Sequence, residues 1–124
     1  MKFTVTWAEA EKFEDGNFNG LDFDGVYLIG YRDLKSDKRY PAYVGQGAIK
    51  RRLEDHLANN ACVQSRIRDG GVGYYRYSRC ASEDDRLDIE LGLYRNHGGD
   101  KFCNGNEPPG SGRYSEIVVE EKFA

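Results

Sequence analysis

Long hydrophobic runs are missing from this sequence. The longest uncharged apolar stretch, Val26 to Tyr31, is about six residues, against the roughly 20 that a membrane-crossing helix needs. The first residues, Met1-Lys2-Phe3-Thr4-Val5-Thr6-Trp7, hold no apolar core of a secretion signal. No membrane partner is expected. Cysteine is scarce: Cys62, Cys80 and Cys103 cannot all pair within one chain, and their wide, irregular spacing fits no zinc pattern. They read as reduced thiols of a cytoplasmic protein. Several catalytic signatures are also absent. There is no Gly-x-Ser-x-Gly elbow and no His-Glu-x-x-His pair, and Gly45-Gln46-Gly47 is too short for a phosphate loop. Serine-nucleophile hydrolysis, zinc proteolysis and dinucleotide binding are set aside on these grounds.

What is present suits one folded domain spanning 1–124. The chain has 124 residues, 39% hydrophobic and 13% aromatic, a composition that can close a core without staples. Net charge is −3, which argues against a grip on nucleic acid through bulk charge. The distribution is uneven, however. Residues 31–80 carry a net +6, residues 1–30 a net −4 and residues 81–124 a net −5. A polyanion would be drawn to the middle of the chain, although a solvated basic loop has the same composition.

Alternation in Lys2 to Trp7 suggests a short strand, and the β-branched and aromatic run Val26 to Tyr31 a stronger one. Glu14 to Gly20 reads as a loop. Pro41 should mark the start of the next strand, Ala42 to Gly45, leaving a long basic connection between the two. Ile49, Leu53 and Leu57 repeat every four residues and predict a helix over 49–59, with Arg52 and His56 along one edge of its apolar stripe. A short helix over 61–68, a strand over 73–80 and a helix after the N-cap Ser82 complete the middle of the chain. In that last helix Leu87, Leu91 and Tyr94 form the expected buried stripe, closed by Gly98-Gly99. Tyr114 to Glu120 reads as a final strand. The order predicts an α+β fold with helices on a mostly antiparallel sheet.

Glu90 stands out because it falls on the inward face of its helix. A carboxylate there costs several kcal/mol unless something pairs with it or binds it. A buried salt bridge and an edge position reaching solvent are the plain alternatives. Arg52 either lays its methylenes on the core or presents its guanidinium to a phosphate. His56 alone is weak evidence, and His97 suits a helix end better than catalysis. Tyr27 and Tyr43, on adjacent strands, are ordinary cross-strand packing residues that could also position a water.

The order of these residues is nonetheless distinctive. Gly25-Val26-Tyr27 followed by Tyr43-Val44-Gly45 resembles the paired signature of the GIY-YIG nuclease family. Arg52 and His56 in the next helix, Glu90 in a later one and Asn104 or Asn106 beyond it extend the resemblance over about residues 25–106. The resemblance implies a small three-stranded antiparallel sheet flanked by helices, with room for extra strands at the termini. It also implies hydrolysis of phosphodiester bonds in DNA by a one-metal mechanism. Glu90 would hold Mg²⁺, for which Mn²⁺ can substitute, and Arg52 would bind the scissile phosphate. Tyr27 would position or deprotonate the attacking water, assisted by Tyr43 and His56. Gly25, Gly45, Gly47 and the asparagine would support the site.

Fifteen residues separate the two halves of the signature, more than is common in the family. The extra length holds Arg32, Lys35, Lys38 and Arg39, which, with Lys50 and Arg51, are expected to touch backbone phosphates without reading sequence. The acidic ends of the chain suggest a rim that steers substrate, or a surface for a protein partner. Two other functions compete with cleavage: a non-cleaving nucleic-acid-binding module on the same fold, and a protein-interaction or inhibitory module.

Overall fold

Strand-prone residues around Val26 form the centre of a sheet in which two ten-residue strands run side by side. The structure is a computed structural model that describes residues 1–69, 71–99 and 103–124. Its elements are β1 (Lys2–Trp7), β2 (Glu11–Lys12), β3 (Asp24–Asp33), β4 (Arg39–Ala48), α1 (Ile49–Asn59), α2 (Ala61–Arg68), β5 (Gly71–Arg79), α3 (Glu83–Asn96) and β6 (Val118–Phe123). The antiparallel sheet has the order β2-β5-β3-β4, and a separate two-stranded sheet pairs β1 with β6 in parallel. This is a mixed α/β fold with several helices and two sheets.

Alternation along β3 divides the core in two. Val26 and Leu28 face a cluster with Val5, Trp7, Val44, Ile89, Leu93 and Val119. Tyr27 and Ile29 face the opposite cluster of Phe13, Phe18, Leu21, Ile49, Leu53, Val63 and Tyr75. The sheet is therefore a middle layer, with α3 and the β1–β6 pair on one side and α1 and α2 on the other.

Several expectations need correction. The connection between β3 and β4 is not a long loop. Both strands extend toward it and leave Leu34 to Lys38 as the hairpin tip. Pro41 lies inside β4 rather than at its start. β4 is an edge strand, and Pro41 sits opposite Gly30, where the register slips by a bulge, so its missing donor is tolerated. Glu14 to Gly20 is a loop as expected, but it is not idle: Phe18 within it, and Phe13 and Leu21 beside it, are buried. On α3, Ile89 and Leu93 rather than Leu87 and Tyr94 reach full core burial, alongside Leu91. The pairings are mostly antiparallel, as the element order predicts; the added two-stranded sheet is the parallel one.

The cysteine reading is overturned as well. Cys62 and Cys103 are joined as a disulfide, leaving Cys80 as the free thiol. One pair and one leftover thiol satisfy the odd count, so the argument for a reducing compartment loses its support. Among the described residues no helix is long and apolar enough to cross a membrane.

Two junctions set the directions of the helices that carry Arg52, His56 and Glu90. β4 runs into α1 without a connecting loop, and Ala48 offers the helix no side-chain cap. Main-chain carbonyls take over that role: Ile49 N–H donates to Phe23 O at 3.1 Å and Lys50 N–H to Leu21 O at 3.2 Å. The second junction is at the head of α3. Asp85 N–H donates to the Ser82 hydroxyl at 3.2 Å, as the cap pattern predicts.

Candidate active site

Tyr27 is anchored from both ends of its ring. Its backbone lies in the central strand β3, and its side chain is 2% exposed. Its ring stacks beside Tyr43 with centroids 6.2 Å apart and planes 11° from parallel. Tyr43 in turn meets the His56 ring at 4.2 Å. The Tyr27 hydroxyl and His56 Nε2 share a hydrogen bond of 2.8 Å. These three side chains come from β3, β4 and α1.

The direction of that bond is set by its neighbours. Asn60 caps α2, its Oδ1 accepting from Val63 N–H at 3.1 Å. The Asn60 amide nitrogen must then be the group facing His56 Nδ1, 3.0 Å away, and it donates to that nitrogen. Burial, with Arg52 adding to it, lowers the His56 pKa to about 4, so the ring is neutral at pH 7. A neutral ring that accepts at Nδ1 carries its proton on Nε2. His56 therefore donates to Tyr27, and the phenol proton is left to point elsewhere. Burial first, then the Tyr43 and Glu90 charges, holds the Tyr27 pKa far above its ordinary value. Tyr27 is a neutral hydroxyl, not a phenolate.

Glycine shapes the floor. A side chain at Gly45 would fall on the Tyr27 hydroxyl and Cζ, and one at Gly25 on the Ser78 carbonyl. Gly47, at φ 126°, leaves room for the Arg52 guanidinium, whose Nε would be 3.1 Å from an added Cβ. We expect Gly45→Ala to destabilise the fold by about 1–3 kcal/mol, since the buried ring has nowhere to retreat. The displaced hydroxyl would lose its bond to His56, and ring-current shifts of the His56 protons would report it by NMR. Unchanged His56 shifts in a folded Gly45→Ala protein would contradict this geometry.

Glu90 approaches from α3, which packs against β4. It is partly buried and forms no ion pair within 4.0 Å among the described residues. Burial raises its pKa to about 7, with Arg52 pulling the other way. The charges of Glu90 and Arg52 are both felt at Tyr27 and Tyr43. Arg52 is exposed and likewise forms no ion pair among the described residues. It borders a hollow of about 550 Å³ shared with Arg51, Glu54, Asp55, Ala58 and Asn59. The acid and the guanidinium thus neighbour the same tyrosines without closing on each other.

Asn104, rather than Asn106, does the supporting work. Its Nδ2 donates to Val44 O at 2.7 Å and its Oδ1 accepts from Val44 N–H at 3.2 Å, clamping β4 between Tyr43 and Gly45. Asn106 is exposed, and its N–H donates to Asn104 O at 3.0 Å. Replacing Asn104 by alanine strips both bonds from a part-buried strand. We expect a loss of about 1–3 kcal/mol in chemical denaturation, with Asn106→Ala near neutral.

Of the remaining basic residues, Arg51 borders the same hollow as Arg52, and the others lie elsewhere. Arg32 pairs with Asp37 at 2.6 Å at the hairpin tip, where Lys35 and Lys38 also lie. Five steps along the strand separate Arg32 from Tyr27, about 17 Å. Arg39 lies at the same end, over the Tyr74 ring at 5.4 Å. Lys50 approaches Asp22 at 4.0 Å, and with Arg51 borders a different hollow, near Phe23 and Glu54.

Two residues that position site side chains, and a buried acid elsewhere on α3, escaped the sequence reading. Asn60 orients His56. Arg86 is buried and donates to Gln46 Oε1 at 3.1 Å, Cys80 O at 3.1 Å and Ala81 O at 2.8 Å, which fixes α3 one turn before Glu90. Asp88 is fully buried and accepts from Ser111 N–H, the Ser111 hydroxyl and Arg113 at 2.8, 2.8 and 2.7 Å. Burial opposes its charge, but these hydrogen bonds prevail and hold its pKa below the usual range. The four-residue spacing from Arg86 to Glu90 was a usable signal, as was an asparagine between two helices. Nothing nearby in sequence announces the partners of Asp88. No protein-family model matches this chain, and neither curated proteins nor solved structures give a match to it.

Proposed function

We propose that the chain is a Mg²⁺-dependent endonuclease of the GIY-YIG type that hydrolyses DNA phosphodiester bonds. The observation that carries this reading is that Glu90 and Arg52, neither in an ion pair among the described residues, both act electrostatically on the Tyr27 and Tyr43 pair beside His56. A half-buried carboxylate with a pKa near 7 and no ion pair among the described residues is a costly arrangement for packing alone.

The donor set fits a hard, water-rich cation. Among the described residues no group of three His, Cys, Asp or Glu side chains converges. Mg²⁺ does not need one, since it commonly keeps several waters and takes one or two carboxylates together with substrate phosphate. Glu90 would supply the protein ligand. When bound, the ion supplies Lewis-acid stabilisation of charge on the phosphoryl oxygens.

The chain's own groups divide the rest of the task. Arg52 offers a planar fork to the non-bridging oxygens, where charge rises during displacement. Tyr27, already accepting from His56, has a free proton and a remaining lone pair with which to orient a water. Its raised pKa supports positioning over deprotonation, which narrows the role implied by the family resemblance. Tyr43 and His56 hold that hydroxyl in place, with Asn60 setting the histidine tautomer.

Supercoiled plasmid incubated with the purified chain in Mg²⁺ should relax to the nicked circle, and EDTA should stop the reaction. Ion binding requires the charged form of Glu90. At limiting Mg²⁺ the rate should therefore climb as pH rises through about 7 and level off above it. Absence of nicking with retained, salt-sensitive DNA binding would replace this reading with the non-cleaving module.

A further inference from the structure

The sheet face opposite Tyr27 holds a second concentration of positive charge. Among the buried charged residues, Arg86 has Asp24 at 3.8 Å and Asp88 has Arg113 at 2.7 Å. Arg76 is 8% exposed yet forms no ion pair within 4.0 Å among the described residues. Its Nη1 donates to Ala8 O at 3.1 Å, and its guanidinium lies 4.9 Å from the centre of the Phe123 ring. One carbonyl and one ring leave most of its five donors uncommitted.

A second guanidinium makes the arrangement less favourable still. Arg39 lies close enough that its charge disfavours charge on Arg76. Both border an open hollow of about 330 Å³, together with Leu28, Pro41, Tyr74, His97 and Phe123. Register explains the gathering: Arg76 pairs with Leu28 and Tyr74 with Gly30, so these side chains share one face. Among the described residues, negative charge nearby is limited or already engaged. Glu9 acts on Arg76 only from beyond ion-pair distance. Glu121 accepts from the Trp7 indole at 2.9 Å and is bonded to His97 at 3.0 Å.

We propose that this hollow is a phosphate-binding site, separate from the cleavage site, that takes the phosphate of a nucleotide between Arg39 and Arg76. Two arginine forks are suited to phosphate oxygens, and the Arg76 nitrogens without a protein partner still reach solvent, where an anion can meet them. Phe123 is 57% exposed beside them and offers a face on which a base can stack. The volume suits a mononucleotide or the end of a strand. The site is defined by the residues on this face and does not depend on the nuclease reading.

The 124-residue chain, in EDTA so that no cutting intervenes, would be titrated with inorganic phosphate, AMP and a short single-stranded oligonucleotide with or without a 5′ phosphate. Saturable binding of AMP, tighter than inorganic phosphate, is expected. Arg39→Ala should weaken it at least fivefold, Phe123→Ala should narrow the gap between AMP and inorganic phosphate, and Glu90→Gln should leave it unchanged. Arg39 is exposed and Phe123 half-exposed, so both variants should fold. AMP binding would identify a free nucleotide as sufficient, whereas binding of the 5′-phosphorylated oligonucleotide alone would identify a strand end. No saturable binding by any probe would overturn the proposal, as would binding that Arg39→Ala does not weaken. Tighter binding in Glu90→Gln would also overturn it, by moving the phosphate to the Arg52 face, where that carboxylate repels an anion.

Discussion

Glu90→Gln is expected to reduce plasmid nicking by about a thousandfold or more, equivalent to roughly 4 kcal/mol of transition-state stabilisation. The substitution keeps the side chain's size and removes the charge that would hold Mg²⁺. The same change should make the metal-free protein more stable at pH 8, and the sign comes from the carboxyl's environment. Burial raises the Glu90 pKa from 4.5 to about 7, so the folded state binds this proton more tightly than the unfolded state. Stability from this group is therefore greatest below the unfolded value and is lost as pH climbs through the folded one. The full difference is about 3 kcal/mol by linkage, and glutamine does not incur it. Mg²⁺ should raise the melting temperature of the parent protein at pH 8, less at pH 5.5, and not at all in Glu90→Gln. A variant that cuts normally would remove Glu90 from the site. A variant that neither gains stability at pH 8 nor loses the Mg²⁺ response would show that its carboxylate is solvated.

Reduction of the Cys62–Cys103 bridge should lower stability by up to about 4 kcal/mol, the chain-entropy cost of releasing two residues 41 apart. For a domain of this size that corresponds to a melting temperature on the order of 10 °C lower. The bridge fastens α2 to the segment that holds Asn104, next to a main-chain bond from Cys103 N–H to Ala42 O of 2.7 Å. Nicking should weaken on reduction, because the Asn104 clamp on Val44 sits between Tyr43 and Gly45. Cys62→Ser should behave as the reduced protein does, and Cys80→Ser should not. Thiol titration under native, non-reducing conditions should find at most the one thiol of Cys80. Three titratable thiols, or equal melting temperatures with and without reductant, would count against the bridge.

Local chemistry made the helices readable. Four-residue spacing of Ile49, Leu53 and Leu57 placed α1 within its observed bounds, and Ser82 marked the start of α3. Strand limits were less legible because pairing, not propensity, extends them. Gly45, Gln46 and Gly47 have little strand preference, yet they lie in β4 because Tyr27, Val26 and Gly25 of β3 pair with them. The α3 stripe misled for a similar reason: the helix is covered on more than one side, so its apolar residues do not form a single line. At the candidate site, Tyr27, Tyr43 and His56 do meet, and Glu90 and Arg52 act on the same tyrosines. The lysines and arginines of the hairpin tip illustrate what composition cannot convey. Their charge was legible, but the length of the strands that carry it away from Tyr27 was not.

The parallel pairing of β1 with β6 joins residues as far apart as Lys2 and Val118. Such a contact has to wait until everything between has been arranged, since closing so long a loop early gains little. Trp7 lies in that first strand, fully enclosed, and is the sole tryptophan. Its fluorescence during refolding should therefore register the last layer to dock. The hairpin and the tyrosine cluster behind it would assemble first, in darkness to that probe.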